Sequence, residues 1–117
     1  MWAKITGTDG ENRAAKFLEQ QGYAVLARQW RSSVGEVDII AKKADVLVFC
    51  EVKTWPRGDA YSLEKAINSK KCQRIIDTAK YFLQENPGYG DDFIRFDVLV
   101  LDVPGLPDIH HIENAFN

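Results

Sequence analysis

The sequence predicts an α/β domain with the element order α-β-β-β-α-β-β. Three observations carry that prediction. GEVDIIA (Gly35 to Ala41) and VLVFCEVKTW (Val46 to Trp55) are β-branched, apolar runs a few residues apart, as the arms of an antiparallel hairpin are. Cys72, Ile75, Ile76, Ala79, Phe82 and Leu83 recur at the spacing of one apolar helix stripe. FIRFDVLVLDV (Phe93 to Val103) is a nearly continuous apolar run, the pattern of a strand covered on both faces. A helix between strands of this kind implies a layered arrangement of helices on a sheet.

The remaining elements fall into place around these. Residues 8 to 22 read as a first helix, with Thr8 to Glu11 in the form of a capping box and Ala14, Phe17 and Leu18 at helical spacing. Gly22 sits where a left-handed residue would end it. Tyr23 to Arg31 is a first strand, Ser32 to Gly35 a turn, and Lys42 to Asp45 the hairpin loop. Pro56 to Asp59 breaks the pattern, and Tyr61 to Asn68 predicts a short helical turn. Asn86-Pro87-Gly88 stops the long helix, and Ile109 to Ile112 is a short last strand.

At 117 residues the chain suits a single domain over 1–117. The longest unbroken apolar run is Val46 to Cys50, far short of a membrane span, and MWAKITGTDG has no apolar signal region. Cys50 and Cys72 lack a pairing motif, which suits a reducing cytoplasmic location. A net charge of −2 argues against a general nucleic-acid coat. The distribution is more informative. Lys53 to Lys80 holds seven basic and three acidic residues, a local +4 that leaves −6 elsewhere. Such a zone suits a polyanion partner, although a solvated helix face has the same composition.

The chemistry is concentrated on the second and third strands. Glu51 and Lys53 lie one strand period apart and face the same side, where a buried strand would carry further apolar residues. Alternation puts Glu36 and Asp38 on one side of the second strand and Val37 and Ile39 on the other. The hairpin sets Asp38 opposite a residue between Leu47 and Glu51, a register that the sequence leaves open. Two carboxylates from neighbouring strands with a lysine beside them outline a divalent-cation site, since Mg²⁺ takes one or two carboxylates and completes its shell with water and phosphate oxygens. The alternative is a half-buried ion pair between Glu51 and Lys53, with Asp38 bonded to Lys53 or to a backbone N–H. Glu36, nearer the turn, reads as solvated, and Glu11 as the capping-box glutamate.

GEVDII, FCEVKTW and RFDVLVL together resemble the YraN-like family of small bacterial proteins, and the resemblance runs from GENRAAKFLEQQGYAVLARQWR to HIENAF. That family is assigned to the restriction-endonuclease-like, PD-(D/E)XK nuclease superfamily and is similar to archaeal Holliday-junction resolvases. The resemblance implies a restriction-endonuclease-like fold, a central mixed β-sheet flanked by helices. It also implies an endonuclease that uses Mg²⁺ (or Mn²⁺) to hydrolyse DNA phosphodiester bonds, at branched or junction structures. The superfamily's acidic residue and (D/E)-X-K motif fall on Asp38 and on Glu51-Val52-Lys53, and the resolvase-like helix glutamate falls on Glu11. Asp38, Glu51 and Glu11 would then be the metal ligands, and Lys53 would join them as a catalytic residue. Val37 stands where the superfamily's nominal proline would be, and Trp55 where this family usually has arginine.

Arg57, Lys70, Lys71, Gln73 and Arg74 are the candidate nucleic-acid contacts; the last four lie off the apolar helix stripe. A homodimer would follow by analogy with junction resolvases. The competing reading is a non-catalytic nucleic-acid-binding module that retains the nuclease fold. His110 and His111, adjacent on a strand, point to opposite faces and do not form a chelating pair, and Asp97 reads as structural, paired with Arg95 or a backbone group. The chain has no Gly-rich phosphate loop, no G-x-S-x-G and no Cys/His nucleophile pair.

Overall fold

The long apolar stripe predicted over Cys72 to Leu83 is the spine of α2 (Ser69–Glu85), one of two helices that sandwich a five-stranded sheet. The computed structural model describes residues 2–54 and 68–117, with side chains in the first helix from Asp9 onward. Trp55, Arg57 and the helical turn expected before Asn68 lie outside the described residues. In chain order the elements are α1 (Trp2–Gln20), β1 (Ala24–Arg31), β2 (Glu36–Lys43), β3 (Val46–Thr54), α2, β4 (Phe93–Leu101) and β5 (Ile109–Ile112). The expected order therefore holds.

The sheet order is β1-β2-β3-β4-β5. Neighbours pair antiparallel except β3 and β4, which run parallel. A parallel pair needs a crossover, and α2 lies in the connection that makes it. β3 is therefore the central strand, and β4 is an interior strand beside it. Their apolar character reflects cover on both faces: Cys50, Val48, Leu99 and Leu101 pack beneath α1 with Ala14 and Leu18, whereas Leu47 and Phe49 pack beneath α2 with Ile75, Ala79 and Phe82.

Both helix ends follow from local sequence. Gly22 takes φ +94°, and the N–H groups of Gly22 and Tyr23 bond the carbonyls of Glu19 and Leu18, a Schellman closure of α1. Asn68 caps α2 by accepting the Lys71 N–H through its side chain at 2.9 Å. α1, however, begins at Trp2 rather than at residue 8. Thr8 and Glu11 are thus inside the helix, and the capping-box reading of Glu11 is corrected. Isolated glycines such as Gly7 and Gly10 cost a helix about 1 kcal/mol each and need not end it.

A second correction concerns alternation in β2. Val37 packs in the cluster beneath α2, whereas Ile39 packs beneath α1, so these residues do not share a face. The break has a counterpart at the same level in β1. Arg28 pairs with Ile39 and Trp30 with Val37, which puts Gln29 level with Asp38, and Gln29 has φ +49°. A left-handed residue in a strand interrupts its period of two. Trp30 accordingly packs on Phe82 of α2, while Arg28 turns toward α1.

Candidate functional site

The sheet opens at the level of Asp38. The β2–β3 register runs from Lys43↔Val46 to Ile39↔Cys50, and its continuation sets Asp38 opposite Glu51. Beyond the last pair the strands part, and the Val52 N–H donates to Asp38 Oδ2 at 2.8 Å. The register left open by the sequence thus resolves to the far end of the expected range. Asp38 also makes the backbone N–H contact that was one of the alternatives for it.

Glu51 is buried, with a side chain only 7% exposed. Its carboxyl lies within hydrogen-bonding reach of that of Asp38. Burial first, then the Glu51 charge and hydrogen bonding to it, push the Asp38 carboxyl up to about 7; the Val52 N–H and Lys71 oppose the rise. Lys71 Nζ lies 3.1 Å from Glu51 Oε1. Lys53, next on the Glu51 face of β3, is half-buried.

An open cleft of about 440 Å³ fronts the pair, lined by Gly35, Glu36, Asp38, Glu51, Lys71, Arg74 and Ile75. One wall is carboxylate and the other cationic. Gly35 permits this close approach of the β1–β2 turn to α2: a Cβ there would lie 3.0 Å from Thr78 Oγ1 and 3.1 Å from Arg74 Cβ. Arg74 is exposed and makes no ion pair or hydrogen bond among the described residues. Lys70 is exposed beside Lys71, and Gln73 is engaged with Asp77 at 2.9 Å. Glu36 forms a surface ion pair with Arg31 at 2.9 Å while lining the rim.

Glu11 occupies a different position. It is buried on α1, and its two oxygens accept from Arg28 Nε at 3.0 Å and Gln29 Nε2 at 3.2 Å. Gln29 stands level with Asp38, so Glu11 is bound to the strand beside the pair. Among the described residues no three of His, Cys, Asp and Glu gather closely enough to hold a metal ion. An ion at this site would therefore rest on Asp38 and Glu51, with water or phosphate oxygens completing its shell. This donor set suits Mg²⁺ or Mn²⁺.

A second polar cluster lies beneath α1. Asp97, fully buried, accepts a forked pair of bonds from Arg95 at 2.9 Å, one from the Asn114 N–H at 3.0 Å, and contacts His111 Nε2 at 2.6 Å. Arg95 also donates to the Tyr23 hydroxyl at 2.6 Å. The Arg95 pairing matches expectation, while the His111 contact depends on β4–β5 pairing and has no local signal in sequence. Burial raises both thiols, Cys50 well above the ordinary range, so neither has thiolate character. Both cysteines are free. Among the described residues no helix is long and apolar enough to cross a membrane.

The model of the family described as "Uncharacterised protein family UPF0102" matches residues 10–101, a span that contains Glu11, Asp38, Glu51, Lys53 and all of α2. A UPF0102 protein of Treponema denticola is 42% identical over 121 residues, covering 94% of this chain and 93% of its own. One from Sulfurihydrogenibium is 44% identical over 107 residues, covering 92% and 90%. A third, from Rhodopseudomonas palustris, is 38% identical over 112 residues, covering 96% and 83%. The chain belongs to the uncharacterised protein family UPF0102.

Proposed function

We propose that this protein is a divalent-metal-dependent endonuclease with the restriction-endonuclease-like, PD-(D/E)XK fold, cutting DNA at branched or junction structures. The observation that carries the reading is the Asp38–Glu51 carboxyl pair, opened into a cleft by the parting of β2 and β3 and faced by Lys71 and Arg74. The α-β-β-β-α-β order and the Glu51-Val52-Lys53 spacing are consistent with that superfamily.

Asp38 and Glu51 would hold the ion, which would polarise the phosphate and lower the pKa of an attacking water. The Val52 N–H fixes the Asp38 carboxylate in place, a geometry that needs no rearrangement to present its second oxygen. Lys53, on the Glu51 face, would orient the water or neutralise charge gathering on the phosphate. Lys70 and Arg74, exposed on α2, would contact flanking phosphates, which position a backbone without reading its sequence. Glu11, held by Arg28 and Gln29, supports the strand that flanks Asp38.

The test is cleavage of junction, flap and duplex DNA with Mg²⁺ or Mn²⁺. Wild type should cut, and Glu51→Ala and Lys53→Ala should each abolish cutting while remaining folded. Salt-dependent binding with no cutting of any substrate would instead establish a nucleic-acid-binding module on the same fold.

A further inference from the structure

Lys71 is at odds with its position in α2. It lies in the first turn of the helix, where the N–H groups and the macrodipole are positive and a cation is disfavoured by about 0.3–1 kcal/mol. Lys70 precedes it, and the first turn contains no acidic residue. The Asn68 cap, formed with the Lys71 N–H, nevertheless pins this residue where its ammonium reaches buried Glu51 at 3.1 Å. Ile75 and the close contact of Gly35 with Thr78 and Arg74 then fix α2 over the cleft. Two charges of opposite sign, one of them buried, are held together by structure rather than by helix preference.

We propose that Lys71 is a resident counter-cation: it neutralises Glu51 until a divalent ion takes its place, and once displaced it joins Arg74 as a phosphate contact. This rests on the metal-dependent reading above and adds a coupling to it. Ion and ammonium compete for the same carboxylate oxygen, so divalent binding frees a cation on the polyanion-facing wall. By linkage, each ligand then strengthens the other's binding. The arrangement keeps the empty cleft from presenting a bare negative wall to a phosphate backbone.

The experiment measures Mn²⁺ binding to the full chain by electron paramagnetic resonance, with Glu51→Gln identifying the signal from this site. Lys71→Gln should tighten Mn²⁺ binding by about tenfold, within the roughly 5- to 150-fold span usual for coupled sites. Lys71→Arg should stay close to wild type. Lys70→Gln, with the same change in net charge one residue away, should shift binding by less than about twofold, because an exposed charge is screened. Mn²⁺ should also tighten binding of a short DNA duplex by wild type, and do so less in Lys71→Gln. Equal Mn²⁺ affinities in wild type and Lys71→Gln, or equal tightening by Lys70→Gln and Lys71→Gln, would overturn the counter-cation role while leaving the metal site standing. Absence of Mn²⁺ binding by every variant would overturn the metal site and this inference together.

Discussion

Asp38 takes the N–H of Val52 at the point where its own strand stops pairing with β3. The Asp38 side chain takes over from the backbone pairing that β2 makes from Ile39 onward, so the sheet opens with the Val52 donor satisfied. Asp38 therefore has two demands on its carboxylate: one oxygen closes the sheet, and the other faces Glu51.

Asp38→Asn separates these demands. An amide keeps an oxygen for Val52 and removes a carboxyl whose charge is disfavoured by burial and by Glu51. The apo variant should be more stable than wild type at pH 8 by on the order of 1 kcal/mol, and Mg²⁺ should raise its melting temperature less. Thermal unfolding with and without Mg²⁺ checks both effects.

The pH dependence has a definite sign. Asp38 is raised from 3.8 to about 7 in the folded chain. A carboxyl shifted upward favours folding below its unfolded pKa, and that contribution is lost as pH rises from about 4 through about 7. The ion requires the deprotonated form, so divalent affinity should move the other way. Mn²⁺ titrations should show affinity falling roughly tenfold per pH unit below 7 and levelling above it. A flat profile from pH 5 to 8 would contradict the raised Asp38 carboxyl.

Gly35→Ala tests the packing that brings α2 to the cleft. Its Cβ would press on Thr78 Oγ1 at 3.0 Å and on Arg74 Cβ at 3.1 Å. The expected loss is about 1–3 kcal/mol, as for other overpacked contacts, with weaker DNA binding as Lys71 and Arg74 are pushed outward. Urea unfolding and a DNA-binding titration measure the two separately.

The Asp97 cluster should matter for folding rather than cleavage. Asp97→Ala leaves Arg95 and His111 around an empty acceptor site and unties the Asn114 N–H. Loss of one partner in such a buried pair costs about 3–5 kcal/mol. Asp97→Ala should therefore lower the urea midpoint sharply. Fractional activity per folded molecule should stay near wild type, because the cluster lies beneath α1, on the other side of the sheet from the cleft.

Local pattern made the architecture legible. Apolar, β-branched runs joined by a short loop marked β2 and β3, the 3.6-residue stripe marked α2, and Asn86-Pro87 marked its end. The start of α1 was not legible, because a Thr-x-x-Glu spacing occurs inside helices as well as at their ends. Nor was the break of alternation at Asp38, which lies level with a left-handed residue, Gln29, in the neighbouring strand. Lys71 was readable as basic and off the stripe. Its partner was not, since no spacing along the chain links the first turn of α2 to Glu51, although two lysines where a helix prefers acids was a signal.

The sequence by itself determined the order of the elements, which side chains are the charged intruders, and that Glu51 and Lys53 share a face. Those properties follow from periodicity along one segment. Only the tertiary structure decided that Asp38 meets Glu51, that Lys71 neutralises it, and that Glu11 is bound to β1. These are contacts across register and layers, where the loop, the twist at Gln29 and the Gly35 approach set distance, and distance sets charge.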